Sequence, residues 1–336
     1  MKAQKERDYI YASTRVRAAG GKGTADERLR SFTGAGSVDE LTALIRDAGL
    51  VAEDLLPSAT DLSSTVSAAL DSAVRLVVSS VPDPSVYGFL LYKYDCNNLK
   101  VAVKENITGQ YSGNLFFTCG TVAPEKIKEC VRDRRFDGIP GNMAKRASEA
   151  YDEYEQTGEA RIIDFLIDKG CFEDSAVSAK ETGVALFGDL ISKRADIVNI
   201  MTFLRVHLSG IPSGAIPSVI EKASVSGGVI PVERFLTAAA EVAAGGDLRE
   251  AVAKRIDDYP LRAAVTETDD LTETSARLEE IFESLVKPYE FGSFGPEIPA
   301  VFLIGREAEL RQCRMIASML RAGTAREEIR RRFKIS

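Results

Sequence analysis

Tryptophan is absent from these 336 residues, and histidine occurs once, as His207. A single imidazole cannot build an ordinary zinc site, and no cysteine stands at ligand spacing beside it. General-base duty needs a partner acid or nucleophile, and the sequence places none there. Lying between Arg205 and Gly210, His207 reads as a residue at a helix end, solvated or facing the helix dipole. Cysteines number five: Cys96, Cys119, Cys130, Cys171 and Cys313. The number is odd, no pair has C-x-x-C spacing and no stretch reads as a signal peptide. The expectation is therefore reduced thiols in a cytoplasmic protein. Asn106, Ile107 and Thr108 match a glycosylation acceptor, which carries no meaning without secretion. Long apolar runs are missing too. The best, Val74 to Val81, is interrupted by Arg75 and closed by Pro82, far short of the ~20 residues that span a bilayer. The chain is expected to be soluble, with no direct membrane insertion, although it can sit on something embedded there. Period-two alternation is scarce, with Asn114 to Cys119 the one plausible extended piece.

Basic excess is lacking as well. The net charge is −7 and the pI about 5.2, which argues against nucleic acid as a partner, since phosphate binding needs a basic face. The charge is uneven. Residues 306–336 hold nine Lys/Arg against four Asp/Glu, a net of +5, so the remainder carries −12. Either this basic end faces an acidic partner, or Arg330, Arg331, Arg332 and Lys334 complement the dipole of a last helix.

What is present is helical periodicity and repetition. With 45% hydrophobic residues the chain has enough apolar surface for real cores, and its length fits two or three domains. From Leu62, the apolar positions Val66, Ala69, Leu70, Ala73 and Val77 form one buried helix face. Breaks are expected where Gly and Pro cluster: near 20–23, 34–36, 82–84, 109–113, 138–141, 210–214, 227–228, 245–246 and 292–296. The fold class is all-α. One segment recurs three times, placing an acid and then an amide three residues later, ahead of an apolar run with basic residues. The pairs are Asp95 with Asn98, Asp196 with Asn199, and Glu309 with Gln312. Residues at i and i+3 share a helix face, so each pair can bond a neighbouring backbone, or basic residues such as Lys104 and Arg205. It either pins packing inside its own unit or touches a partner. A second recurrence, a Gly followed by a short capped helix, begins at Gly36, Gly120, Gly228 and Gly323. Ser37 to Glu40 and Thr324 to Glu327 fit a capping box, and Pro124 and Pro231 fit a first helical turn. Three helical repeat domains are expected, at 1–115, 116–225 and 226–336.

Two patterns invite an enzymatic reading. Gly20, Gly21, Lys22, Gly23 and Thr24 look like a phosphate cradle, but the spacing is wrong for a P-loop and the preceding Asp8 to Ala19 reads as helix. A helix stop and turn is the better account. Asp269, Asp270 and Glu273 match the spacing that holds Mg²⁺ in helical diphosphate enzymes. Asp257 and Asp258 lack the spacing of a second cluster, and aromatics are only 7%, so Thr268 or Asp269 is expected to cap a helix. No catalytic residue, metal site or cofactor is expected.

Several segments resemble one family in order along the chain. They are Asp8 to Arg17, Tyr94 to Lys100, Ile163 to Phe172, Arg194 to Ile200, Gly295 to Glu297 and Glu307 to Arg311. Together they are similar to the C subunits of the V/A-type ATPases (ATP synthases), the family that includes the d subunit of eukaryotic V-ATPases. Gln312 departs from the Asn of the other two repeats. The resemblance implies an all-helical funnel of three related domains about a pseudo-threefold axis. It also implies a non-catalytic rotor adaptor, one copy per hetero-oligomer, whose partners are the central shaft subunits and the membrane rotor ring. It would be cytoplasmic and peripheral on the membrane-embedded sector, serving ion transport or ATP synthesis. The alternatives are a helical-repeat scaffold binding an unrelated acidic partner, and the Mg²⁺-dependent enzyme centred on Asp269, Asp270 and Glu273.

Overall fold

The computed structural model describes residues 6–110 and 115–335. Among them there is no strand, and the fold is all-α as expected. The helices run α1 (Ile10–Ala18), α2 (Ala25–Thr33), α3 (Val38–Asp47), α4 (Leu62–Val78), α5 (Gly88–Thr108), α6 (Pro124–Asp133), α7 (Gly141–Thr157) and α8 (Arg161–Thr182). They continue with α9 (Ala185–Leu208), α10 (Ile216–Ala223), α11 (Val232–Ala243), α12 (Leu248–Ala253), α13 (Tyr259–Thr266), α14 (Leu271–Ser284), α15 (Glu297–Arg321) and α16 (Arg326–Arg332). None of them is long and apolar enough to cross a membrane. The Gly/Pro clusters singled out above fall between these α-helices, with Gly141 as the first residue of α7. Residues 111–113 of one cluster, and Asn114 of the expected extended piece, lie outside the described residues; 115–119 form no regular element.

Two compact units result. One runs from Ser85 to Val286; the other joins the N-terminal part, through Pro84, to the part from Lys287 onward. In the first unit α5, α6, α7 and α8 enclose a core of Leu99, Ile127, Met143, Ile163 and Ile167, each at most 1% exposed. The α7–α8 crossing depends on Gly170. A Cβ there would lie 2.8 Å from Asn142 O and from Met143 Cα, so only hydrogen lets the backbones meet. One turn further along α8, Asp174 accepts the backbone N–H groups of Asn142 (3.0 Å) and Met143 (2.9 Å). A tertiary carboxylate thus caps α7, whose own N-cap residue, Pro140, supplies no side-chain bond.

In the second unit α15 packs against α1, α2, α3 and α4. The α4 face expected from the sequence is the buried one: Val66 and Ala69 are fully covered, with Leu70, Ala73 and Val77 at most 5% exposed. Asp61 and Ser64 start that helix with reciprocal bonds.

Helix starts depart from expectation in four places. Thr324 does not form a capping box: α16 begins at Arg326 behind Ala325, with no side-chain cap. Gly323 instead closes α15, its N–H donating to Leu320 O while Thr324 N–H donates to Met319 O. At α3, Ser37 caps Glu40 N–H, but the Glu40 carboxylate returns to Gly36 N–H rather than to Ser37. Pro124 is the first residue of α6 as expected, but Pro231 is the N-cap of α11. At α14 the cap is Asp270, not Thr268 or Asp269.

Gly170→Ala is expected to lower unfolding stability by roughly 1–3 kcal/mol, as overpacking does. Gly188→Ala, exposed on α9 with nothing within 4 Å of its Cβ position, should raise it by about 0.5–1 kcal/mol. Urea unfolding of both variants checks the pair.

Candidate functional site

The polar pairs on α5 and α9 are buried, and each holds a later chain segment, the one that leads into α6 or, past α10, into α11. Asn98 is fully covered and grips Phe117 at both backbone groups: its Nδ2 donates to Phe117 O at 2.7 Å, and Phe117 N–H donates to its Oδ1 at 2.8 Å. One turn N-terminal, Asp95 accepts Val122 N–H at 3.0 Å, Thr121 N–H at 3.0 Å and the Thr121 hydroxyl. Asn199 grips Val225 in the same way, donating to its carbonyl at 2.9 Å and accepting its N–H at 2.8 Å. Asp196 accepts Ile230 N–H at 2.9 Å and a bond from the Val229 backbone.

The two clamps share a register. The amide holds one residue; three residues on comes a glycine, and the next two backbone groups bond the acid. Each glycine, Gly120 or Gly228, is there because the carboxylate presses on it. A Cβ would sit 2.1 Å from Asp95 Oδ1 or 2.3 Å from Asp196 Oδ1. Helix α6 or α11 starts four residues after that glycine, so Pro124 and Pro231 occupy adjacent steps of one pattern. Burial raises both carboxyl pKa values above their ordinary level, against the lowering effect of the bonds from Thr121 and Val122 to Asp95 and from Ile230 and Val229 to Asp196. With their lone pairs directed to these donors, the two acids are built to hold backbone, not to move protons.

The third pair behaves differently. Glu309 is buried on α15, but it faces the turn that precedes α2, through arginines. Arg28 Nη2 donates to it at 3.0 Å, and Arg28 Nη1 donates to Gly23 O at 2.7 Å. Arg306, on α15, donates from Nη2 to Gly20 O at 2.8 Å and lies 3.6 Å from the Glu309 carboxylate through Nε. Gln312 is half-buried and forms no hydrogen bond among the described residues. So the third acid reaches a glycine turn leading to a short helix, as the others do, but the turn comes from the opposite end of the chain. Sequence reading missed Arg28 and Arg306. The only signal was the Gly20–Gly23 turn, read above as a helix stop; it leads into a true capping box between Thr24 and Glu27.

The remaining candidates take structural places. Lys104 pairs with Asp164 on α8 at 2.6 Å rather than with any polar pair, and Arg205 is exposed. His207 Nδ1 lies 2.8 Å from Phe203 O, and its ring stacks on Phe203 at 4.3 Å. Asp270 caps α14, Glu273 lies 3.7 Å from Arg277, and Asp269 is exposed. Asp257 pairs with Arg234 and Asp258 with Lys193. Among the described residues no group of three His, Cys, Asp or Glu is placed to hold a metal. Cys96 is a free thiol; a side-chain hydrogen bond with the free Cys171 thiol, together with burial, pushes it well above the ordinary value, which makes it a poor nucleophile.

The profile of the ATP synthase (C/AC39) subunit family matches residues 12–332. The chain belongs to this family. Among its C/AC39 relatives, the V-type sodium ATPase C subunit of Enterococcus hirae is 22% identical over 278 residues, 82% of each chain. The A-type ATP synthase C subunit of Thermococcus gammatolerans is 22% identical over 348 residues, covering 96% of this chain and 88% of that one. Its counterpart in Desulfurococcus sp. (strain SY) is 22% identical over 343 residues, covering 96% and 89%. In this C/AC39 family member Asp95, Asn98, Asp196 and Asn199 all serve to hold backbone. Its most distinctive chemistry is the pair of clamps.

Asn199→Ala strands a buried N–H and C=O at Val225 and should cost roughly 1–3 kcal/mol, while Asn98→Ala, which frees the part-buried groups of Phe117, should cost about 1 kcal/mol. Gln312→Ala should stay within about 0.5 kcal/mol of the parent. Amide exchange at Phe117 and Val225, read by NMR or mass spectrometry, should accelerate only in the matching Asn variant.

Proposed function

We propose that this chain is a non-catalytic rotor adaptor of a V/A-type ATPase. It couples the rotating central shaft to the membrane ion-translocating ring during ATP-driven ion transport or ATP synthesis. The observation that carries this reading is a family match across nearly the whole chain, to relatives named as the C subunits of a sodium ATPase and of ATP synthases. The clamps give it a physical basis, because an element that passes torque must resist deformation, and buried polar networks fix one geometry. We further propose three repeats, at 1–115, 116–225 and 226–336, in a pseudo-threefold funnel. The register shared by the clamps of α5 and α9, and the arginine-bridged version at α15, support a threefold origin. One copy sits in the hetero-oligomer, on the cytoplasmic face of the membrane sector.

Contacts that hold under load need interfaces of the obligate class, on the order of 2,000 Å² or more. Tagged chain co-expressed with the shaft and ring subunits of its own complex should therefore retain both through purification. Native mass spectrometry should count one copy per ring. Recovery of neither subunit sinks the proposal, and recovery of the shaft alone limits it to shaft binding.

A further inference from the structure

The second unit contains a cavity of about 520 Å³ between α15 and the turn that precedes α2. That volume is within the usual range for small-molecule sites. Its walls are apolar, with Val16, Ile298, Val301 and Phe302 among them. Its polar lining is Arg28, Arg306 and Glu309, with Arg17 and Glu290 more exposed. Three guanidiniums against two carboxylates leave an excess positive charge. The excess lies deep: Arg28 is 8% exposed and Arg306 5%, and both share the single carboxylate of Glu309.

Arg306 is incompletely satisfied. Its Nη2 bonds Gly20 O and its guanidinium lies 5.5 Å from the centre of the Phe302 ring, but its Nε lies 3.6 Å from Glu309, beyond a good hydrogen bond, and Nη1 has no hydrogen bond among the described residues. Burial, with the neighbouring Arg28, pulls its pKa below the ordinary guanidinium value despite Glu309. Neither Nε nor Nη1 is sealed from solvent, so these open donors on a largely buried guanidinium are available to an anion. The N-terminus of α2 is not that anion's seat, because the Glu27 carboxylate already sits on Thr24 N–H there and repels a second negative charge.

A separate observation points to the same place. Gly305 lines the cavity in the middle of the 25-residue helix α15. Glycine there lowers helix stability by about 1 kcal/mol relative to alanine. No neighbour requires it, since a Cβ would meet nothing within 4 Å. Gly305 is exposed, so its missing side chain leaves that part of the cavity's rim uncovered.

We propose that this cavity binds a small amphiphilic anion, with one carboxylate or phosphate on Arg306 and an apolar body along α15. Isothermal titration with decanoate, below its micelle concentration, tests it on the full chain. One saturable site is expected, at least tenfold tighter for decanoate than for decanol or for inorganic phosphate. Arg306→Gln should weaken binding tenfold or more. Because removing a buried arginine can disturb folding, Gly305→Leu is the second variant. It fills open space on an exposed helix position, so it should keep or raise the melting temperature while abolishing binding. No decanoate binding, equal binding of decanol, or binding unchanged in Gly305→Leu would each overturn the proposal. The outcome is independent of the rotor reading, which concerns subunit contacts.

Discussion

A carboxylate buried at a helix surface must be met by donors, or the fold does not tolerate it. Asp95 and Asp196 meet this condition by drawing in a segment that would otherwise be a free loop. The bonds to Thr121 and Val122, and to Ile230, remove those backbone groups from water and give them partners at the same time. The amide one turn further along each helix imitates a strand neighbour, offering one donor and one acceptor to one residue. From this the rest follows. The glycine is needed because the acid leaves no room for a Cβ, and the short helix starts where the tethered segment ends.

Much of this was legible because it repeats. The acid-amide spacing, the Gly-marked stops and the apolar face of α4 are local patterns, and local patterns survive in sequence. What was not legible is which end of the chain each acid meets. Asp95 and Asp196 bond segments that follow them, but Glu309 bonds Arg28, which precedes it by most of the chain. No periodicity encodes such closure. Cap assignments slipped by a residue for a related reason. At α14 three candidate residues, Thr268, Asp269 and Asp270, stand in a row, and tertiary packing chooses. Thr268 is buried and bonds Ala264 O and Thr274, which leaves Asp270 as the cap. The break between α12 and α13 has no Gly/Pro cluster; its signal is the Asp258 cap with Pro260 in the first turn of α13, which a search for clusters passes over.

The third pair shows what changes when a clamp is closed by side chains instead of backbone. An acid facing N–H groups is satisfied by neutral donors and adds one negative charge to its surroundings. An acid facing arginines imports positive charge, and two arginines import more than one carboxylate can match. The geometry also lengthens. Arg28 and Arg306 reach carbonyls at Gly23 and Gly20, so the turn stands off from α15 by the length of a guanidinium and does not press on the acid. That stand-off is the physical origin of the space beside α15, which is lined by the same Gly20, Gly23, Arg28, Arg306 and Glu309.

Why polar clamps, when leucines would bury more cheaply? Apolar contacts slide: a loop packed by leucine can shift a residue with little loss. A two-point amide bond at Phe117 or Val225 admits one register only, and a slip of one residue exposes every member of the network to desolvation without a partner. In this chain registry is what the clamps supply directly, by fixing Phe117 and Val225 at both backbone groups. The clamps thus fix the register of two separate segments, and their recurrence gives α5 and α9 the same means of holding the chain that leads into α6 and α11.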